Sequence, residues 1–336
     1  LVSRGYGSTE VLKAFQTADR FNRRLGNLEQ QFYSGWGIGA FKYITGDLTG
    51  ALEVLRDLER LATELGNDDL RGIAIVSTGI VLFALGRFDE TLEQTERGLA
   101  EYDPERSRAY LTRLGQDVFL LGMAYGGVAA WSLGKPDMAR EMTSRALELA
   151  RRGGDNYTLA LVLSTGVPLV RFRSGEVEQT EAGLDEAIDI ARENQFPYTL
   201  ARATAMLGLV KTRTRRVEEG LADIREGIAS LRAIGGRTTL PMMLVWLADG
   251  SLSANDPKSA RTALHDALEI VAETGEHSHL SEIHRLLGRA ELADNAPEAA
   301  LAYFREAYEL AEAQGALGWR LRASLDLAAS IERSGR

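Results

Sequence analysis

The amino-acid sequence predicts an all-α protein built as a right-handed superhelix of helix pairs, a solenoid with a period of about 40 residues. Three observations indicate this architecture. Apolar residues recur at helical spacing almost throughout the 336 residues. Proline is scarce, at 7 residues, and short turn signals interrupt the helical pattern at nearly constant intervals. Repeated helix pairs of this kind bury their apolar faces by stacking on one another.

The turn signals mark where the first helix of each pair ends and the second begins. Successive signals are 40, 48, 41, 40, 40 and 40 residues apart. Gly and Asn adopt the left-handed backbone conformation that ends a helix, and a proline two residues after three of the turns suits the start of the next helix. Arg215 is the one exception in residue type. The turns centre on Gly46, Gly86, Gly134, Gly175, Arg215, Asn255 and Asn295.

Small residues recur at fixed positions relative to these turns, which indicates that the two helices of a pair approach each other closely. One column lies seven residues before the turn and another lies five residues after it. Pro168 interrupts the first column. The residues predicted to pack the repeats are Gly39, Gly79, Gly127, Gly208 and Gly288 in the first column, and Ala51, Ala139, Ala260 and Ala300 in the second.

The repeat register also predicts the domain organisation, a single solenoid over residues 1–336. It places a half repeat at 6–25, helix pairs from about 30 to 315, and a capping helix at 317–333 whose charged side chains face solvent. Since the chain starts with Leu1, further repeats or domains are expected upstream and none downstream.

The one long spacing between turns predicts an insertion. It adds about eight residues near 102–107. The Asp103-Pro104 dipeptide within this stretch is typical of a loop. The sequence therefore predicts a loop at this position.

The succession of small residues, with a leucine beside the first glycine, resembles the tetratricopeptide repeat, whose usual period is about 34 residues. Particular stretches further resemble the C-terminal repeat region of large bacterial proteins that join a class III nucleotide cyclase domain to an AAA/STAND-type ATPase. Related tails occur on maltose-type and other ATP-dependent transcriptional activators. The sequence departs from the family at Leu114 and Val118, where Tyr and Pro are usual. The matching stretches are Gly5-Tyr6-Gly7, Tyr102-Asp103-Pro104, Gly115-Gln116-Asp117, Trp131, Glu282-Ile283-His284-Arg285-Leu286 and Gln314-Gly315.

Composition excludes several functional classes. The net charge of −9 disfavours a nucleic-acid partner. The absence of cysteine excludes disulfides, thiol nucleophiles and cysteine-ligated metals, and makes the cytoplasm the default compartment. The longest uncharged run, Val118 to Gly134, has 17 residues. A membrane span needs about 20. This run is therefore predicted to be a buried helix capped by Asp117, and no membrane association is expected.

No motif predicts a catalytic residue, a cofactor or a metal site. A phosphate-binding loop needs Gly-Lys-Ser/Thr at its end, whereas Gly134-Lys135 is followed by Pro136. His277, His279 and His284 are close in sequence, but spacings of two and five residues do not place all three on one helical face. Packing or hydrogen bonding is the favoured interpretation of these histidines.

A polarised column of side chains is the strongest candidate site. Three residues before each turn, where first helices of tetratricopeptide repeats face the concave surface, four consecutive repeats carry an aromatic residue and the later ones none. Inward positions of the later repeats are charged instead. Packing between repeats and a groove for a partner or for self-association both remain open. The candidate residues are Trp36, Tyr43, Phe83, Trp131 and Phe172 in the apolar half, and Arg202, Asp249, Glu282, Arg285 and Arg289 in the charged half.

The sequence as a whole predicts a non-catalytic interaction module. Its expected partner is a protein or peptide, an upstream domain of the same chain, or a second copy. The family resemblance implies the sensor or docking tail of a signalling protein with a cyclase or ATPase head. The alternative is a ligand- or peptide-sensing tail of an ATP-dependent transcriptional activator.

Overall fold

The computed structural model describes residues 7–333, and every regular element in that range is an α-helix. Seven antiparallel pairs follow one another, with a single helix at each end and one additional short helix. This arrangement confirms the predicted all-α helix-pair solenoid. The helices are α1 (Thr9–Leu25), α2 (Leu28–Thr45), α3 (Leu48–Leu65), α4 (Asp68–Ala84), α5 (Phe88–Leu99), α6 (Pro104–Leu114), α7 (Val118–Ser132), α8 (Pro136–Gly153), α9 (Asn156–Ser164), α10 (Gly166–Arg173), α11 (Val177–Glu193), α12 (Pro197–Arg213), α13 (Val217–Ala233), α14 (Leu240–Ser253), α15 (Pro257–Thr274), α16 (Leu280–Ala293), α17 (Pro297–Ala313) and α18 (Leu317–Arg333).

A left-handed residue follows most of these helices, because a residue with positive φ turns the chain back while satisfying the last carbonyl groups. Arg215, the exception in the sequence pattern, adopts the same conformation, with φ of 67°. The series includes turns between pairs as well as the predicted turns within pairs. Its members are Gly26, Gly46, Gly66, Gly86, Gly115, Gly134, Gly154, Gly175, Gln195, Arg215, Gly235, Asn255, Gly275, Asn295 and Gly315.

The predicted loop at 102–107 is wrong, because most of the insertion forms the helix α6. Asp103 accepts hydrogen bonds from the backbone N–H groups of Glu105 and Arg106, and Pro104 occupies the first turn. Asp-Pro marks helix starts as well as loops, and here it starts a helix. The preceding helix, α5, has 12 residues, whereas the second helices of the other pairs have 17 or 18.

The first helix of the fourth pair is broken into α9 and α10. Pro168 has no N–H group to bond the carbonyl of Ser164, four residues before it. The chain leaves helical geometry at Thr165, with φ of −113° and ψ of −101°. Gly166 then lies so close to α7 that a Cβ atom would stand 2.1 Å from the carbonyl oxygen of Ala124.

The superhelix closes on itself, so that early pairs contact late ones. The backbone N–H of Arg237 donates to the carbonyl of Ile44 at 2.8 Å, and that of Ser278 donates to the carbonyl of Ala84 at 3.1 Å. Both acceptors lie at helix C-termini, where carbonyl groups lack partners within the helix. We call these two hydrogen bonds the closure contacts. They make the concave face an interior rather than an open groove.

The terminal helix α18 has the boundaries predicted for the capping helix, but its charged side chains do not all face solvent. Arg322 and Asp326 form ion pairs with residues of α16. Leu321 and Leu325 are instead 62% and 63% exposed. At the other end, α1 accounts for residues 9–25 of the predicted half repeat, whereas Tyr6 lies outside the described residues. None of the helices within residues 7–333 has the length and apolarity to cross a bilayer.

Candidate functional site

The interior of the superhelix contains three adjoining chambers. The apolar chamber has a cavity volume of about 80 Å³, is partly open to solvent, and lies between α2, α4, α7, α9 and α12. The middle chamber has only about 10 Å³ and shares Tyr43 and Tyr125 with it. The arginine chamber has about 300 Å³ and shares Leu169 and His279 with the middle one. The three chambers therefore adjoin one another, and their walls change from apolar to charged.

Aromatic side chains with hydroxyl groups line the apolar chamber. The Tyr43 and Tyr125 hydroxyls are hydrogen bonded at 3.1 Å, and Trp36 donates its indole N–H to Ser77 at 3.2 Å. Tyr157 and Tyr198 complete this aromatic lining. Such a surface offers a large apolar contact area together with a few directional hydrogen-bonding groups, as binding pockets for small molecules do.

Two charged residues are buried beside the middle chamber. Arg202 is 3% exposed, and its guanidinium lies 3.4 Å from the Tyr198 hydroxyl, while its Nε atom has no hydrogen-bond partner among the described residues. Glu276 is also 3% exposed and accepts hydrogen bonds from the Thr239 backbone N–H at 2.9 and 3.2 Å. Burial raises the pKa of Glu276 to about 8, although the hydrogen bond and the charge of Arg202 oppose this shift.

The raised pKa of Glu276 predicts a stability that falls with pH. Between its ordinary pKa of 4.5 and about 8, the folded protein retains a proton that the unfolded chain releases, so raising the pH favours unfolding. In Glu276→Gln, we expect the free energy of unfolding to lose this dependence on pH. Urea denaturation between about pH 5 and 8 measures it. Glu273→Gln, an exposed control on α15, should keep the wild-type slope. Equal slopes in both variants would contradict the assignment.

An ion-pair network forms one wall of the arginine chamber. Glu282 accepts hydrogen bonds from Arg285 at 2.9 and 3.1 Å and pairs with Arg322 at 2.8 Å. Arg285 also reaches Asp326 at 2.6 Å. Burial opposes the charge of Glu282, but Arg285 and Arg322 outweigh it and hold the pKa of this carboxyl below its ordinary value. Asp249 pairs with Arg213 on the same side of the chamber.

The structure distributes the ten predicted groove residues around this interior. Trp36 and Tyr43 line the apolar chamber, Phe83 the middle one and Phe172 the arginine one. Trp131 lines none of the three and instead lies beside Gly318 of α18. In the charged half, Arg202 lines the middle chamber, Asp249 and Glu282 line the arginine chamber, Arg285 is buried behind Glu282, and Arg289 is exposed 3.6 Å from Asp249.

Several residues of this interior were not predicted from the repeat pattern. Arg173 follows Phe172 directly, but only the aromatic residue occupies the position three residues before the turn. Trp319 and Arg322 lie on the terminal helix, which was expected only to cap the superhelix with its charged side chains facing solvent. Tyr125 and Tyr198 could have been found, because a tyrosine hydroxyl in an apolar helix usually has a partner inside the protein.

The remaining motifs form local contacts. His279 lies against Ser278 at 3.0 Å, and His284 faces Glu306 at 3.1 Å, so these two histidines have different partners. Across residues 7–333 no cluster of three or more potential metal ligands is present. Asp117 accepts hydrogen bonds from the N–H groups of Phe119 and Leu120, which confirms the predicted cap of α7.

The nine predicted packing residues are all buried. Their surroundings differ in tightness. A Cβ atom on Gly208 would lie 2.5 Å from the carbonyl oxygen of Gly220, whereas one on Gly39 would lie 3.5 Å from its nearest neighbour, Val54. The small column is therefore a strict steric requirement at some crossings and not at others.

Comparisons with known proteins place this fold among helical repeats. The tetratricopeptide repeat family matches residues 239–313, and the family described as anaphase-promoting complex subunit 5 matches residues 86–214. An uncharacterized protein of Rhizobium meliloti is 28% identical over 245 residues, which are 72% of this chain and 24% of that protein. The chain thus spans about a quarter of the length of this relative.

Two solved structures share the architecture over most of the chain. A Rap protein complexed with Competence and Sporulation Factor has a TM-score of 0.63 at 12% identity and covers 90% of this chain and 85% of its own. A Signal Transduction ATPase with Numerous Domains with a tetratricopeptide repeat sensor, from Pyrococcus horikoshii, has a TM-score of 0.52 at 13% identity and covers 98% of this chain and 50% of its own. These likenesses show the fold, a solenoid of helix pairs.

Proposed function

We propose that this chain is a non-catalytic regulatory module, the sensor or docking part of a larger signalling protein of the nucleotide cyclase and ATPase type. The change of the interior lining from aromatic to charged is the observation that carries this proposal. Aromatic residues line one part and charged residues another, so a partner or ligand would meet apolar anchors and directional charges together.

Through the closure contacts, a ligand bound in the interior could change how the early and late helix pairs are arranged relative to one another. They join the ends of α2 and α4 to the turns before α14 and α16. The turn before α14 contains Thr239 and the turn before α16 contains Glu276 and His279, and all three residues line the middle chamber. A ligand that fits the interior better in one arrangement of these turns shifts the population toward that arrangement. Domains attached to either end of the superhelix would respond to this shift.

The second candidate function is a ligand-sensing tail of an ATP-dependent transcriptional activator. The small chambers favour ligand sensing, because they suit a compact ligand better than a whole partner helix. The second candidate therefore differs from the first in requiring no docked protein partner and in the attached head.

A test of the proposal uses the longer polypeptide that carries this chain. Phe172→Ala opens the interior at a half-buried position, whereas Phe83 is 7% exposed and packs on Phe88 and Tyr125, so that its removal chiefly costs stability. Allosteric coupling typically changes an equilibrium by about 5-fold or more. We therefore expect Phe172→Ala to change the nucleotide-cyclising or ATP-hydrolysing activity of the head by about this factor.

The matched control is Phe21→Ala, at a residue of α1 that is 58% exposed and outside the interior. This variant should leave the activity of the head unchanged. The isolated chain should neither hydrolyse ATP nor form a cyclic nucleotide. A folded Phe172→Ala variant with wild-type regulation, or turnover by the isolated chain above a heat-inactivated control, would contradict the proposal.

A further inference from the structure

The arginine chamber contains hydrogen-bond donors without acceptors. The Nη1 atom of Arg173 is buried and has no hydrogen-bond partner among the described residues, and the same is true of the indole Nε1 of Trp319. The two groups are neighbours, since the Arg173 guanidinium lies 4.6 Å from the centre of the Trp319 ring. Buried donors are normally satisfied, and two unsatisfied donors side by side point to an acceptor that comes from outside the chain.

Arg173 differs from the other arginines that line this chamber. Arg213 pairs with Asp249, and Arg322 pairs with Glu282. Within residues 7–333, Arg173 has no ion-pair partner of its own. Burial and the nearby charge of Arg322 lower the pKa of Arg173 to about 10, so this side chain remains protonated at neutral pH. Its guanidinium stacks over the Trp319 ring rather than pairing with a carboxylate. An anion beside it would offset the cost of burying this charge.

The charge of the lining indicates the charge of the ligand. Three arginines line the arginine chamber, Arg173, Arg213 and Arg322, against two carboxylates, Asp249 and Glu282. The ion pairs behind this lining add Arg285, Arg289 and Asp326. The chamber and its ion pairs therefore carry excess positive charge inside a chain whose net charge is −9, which favours an anionic ligand.

The remaining walls indicate the rest of the ligand. Phe172, Trp246 and Leu286 line the chamber with flat or branched apolar surface. Its cavity volume of about 300 Å³ suits a small organic molecule. The break between α9 and α10 determines where Phe172 and Arg173 lie, because both belong to the short helix that follows it.

We propose that the arginine chamber binds a small organic monoanion, whose carboxylate accepts hydrogen bonds from Arg173 Nη1 and Trp319 Nε1 and whose apolar or aromatic body packs on Phe172 and Trp246. This inference rests on the proposed sensor function and names the chemical class of the sensed ligand. A carboxylate offers two acceptor oxygens to the two free donors and offsets part of the excess positive charge, while a compact ring packs on the apolar walls.

The test compares phenylacetate with phenylacetamide, its neutral isostere, by isothermal titration and by tryptophan fluorescence. Phenylacetate should bind saturably and shift the fluorescence emission of the chamber tryptophans. The amide should bind at least about tenfold more weakly, since a hydrogen bond to a charged group contributes about that factor in affinity. Arg173→Gln should lose at least about tenfold in affinity for phenylacetate and little for the amide.

The matched control is Arg171→Gln, which removes the same charge from the same helix. The side chain of Arg171 is 27% exposed, and Arg171 does not line the chamber. It should bind phenylacetate like the wild type. Arg173→Lys keeps the charge and should retain a preference for phenylacetate over the amide, which covers the case in which Arg173→Gln does not fold.

Three results would overturn the proposal: no saturable binding of phenylacetate, equal binding of phenylacetate and phenylacetamide, or equal losses in Arg173→Gln and Arg171→Gln. The regulatory proposal is tested separately, through the activity of the attached head. Binding of the anion without any change in that activity would leave the site in place and refute the sensor function. A change in the activity of the head in Phe172→Ala, without any binding of phenylacetate, would refute the anion site and leave the sensor function in place.

Discussion

Replacing Glu282 by leucine is expected to lower the free energy of unfolding by about 3–5 kcal/mol, the cost of removing one partner from a buried ion pair. Glu282 and Arg285 have side chains only 3% and 4% exposed. Without the carboxylate, Arg285 keeps only Asp326 as an ion-pair partner. Its guanidinium cannot regain hydration while the fold persists, whereas the Arg322 side chain is 40% exposed and can. Urea denaturation at neutral pH measures the loss.

The control for this prediction is Glu186→Leu. Glu186 forms a surface ion pair with Arg151 at 2.6 Å, with side chains 34% and 53% exposed. Surface pairs of this kind contribute about 0–1 kcal/mol. If the two variants lost similar stability, the burial argument would be refuted.

The same carboxyl predicts a pH dependence opposite in sign to that of Glu276. Its pKa is held below the ordinary 4.5, so the unfolded chain binds a proton before the folded protein does. The stabilisation by Glu282 is complete above its ordinary pKa and is lost as the pH falls through the lower value. The difference in the free energy of unfolding between the wild type and Glu282→Leu should therefore shrink as the pH falls below the ordinary pKa of 4.5.

Alanine at Gly208 is expected to destabilise the protein by about 1–3 kcal/mol, as overpacking of a tight crossing does. The new Cβ would lie 2.5 Å from the carbonyl oxygen of Gly220 and 2.9 Å from the backbone nitrogen of Ile224. Both neighbours are backbone atoms of α13, so relief requires the helices to separate. Leucine at Gly208 should cost more than alanine.

Gly39→Ala is the matched control, since Gly39 occupies the same column and also lies inside a helix. Its nearest neighbour would be Val54 Cγ1 at 3.5 Å, an ordinary contact. Alanine is favoured over glycine in a helix by about 1 kcal/mol, so this variant should be neutral or more stable than the wild type. Equal destabilisation of Gly39→Ala and Gly208→Ala in urea denaturation would show that the column is not a steric one.

The repeat architecture could be predicted from the sequence because its signals are local. Gly or Asn at a turn, as at Gly46 and Asn255, indicates a left-handed backbone conformation at that position. A small residue seven positions before a turn indicates a close crossing between adjacent helices. Local signals also failed where they are ambiguous. Asp103-Pro104 is compatible with a loop and with a helix start, and only the apolar contacts available to α6 decide between them.

The sequence by itself determined the helix pairs, their register and the polarity of the inward positions. The tertiary structure decided that these positions form an enclosed interior. Ile44 and Arg237 meet because a small rotation at each crossing accumulates over the intervening pairs, and no single residue encodes that sum. The same accumulation brings Trp319 of the last helix beside Arg173 of the fourth pair. A repeat pattern specifies contacts between neighbours, whereas a binding chamber depends on contacts between residues far apart in the chain.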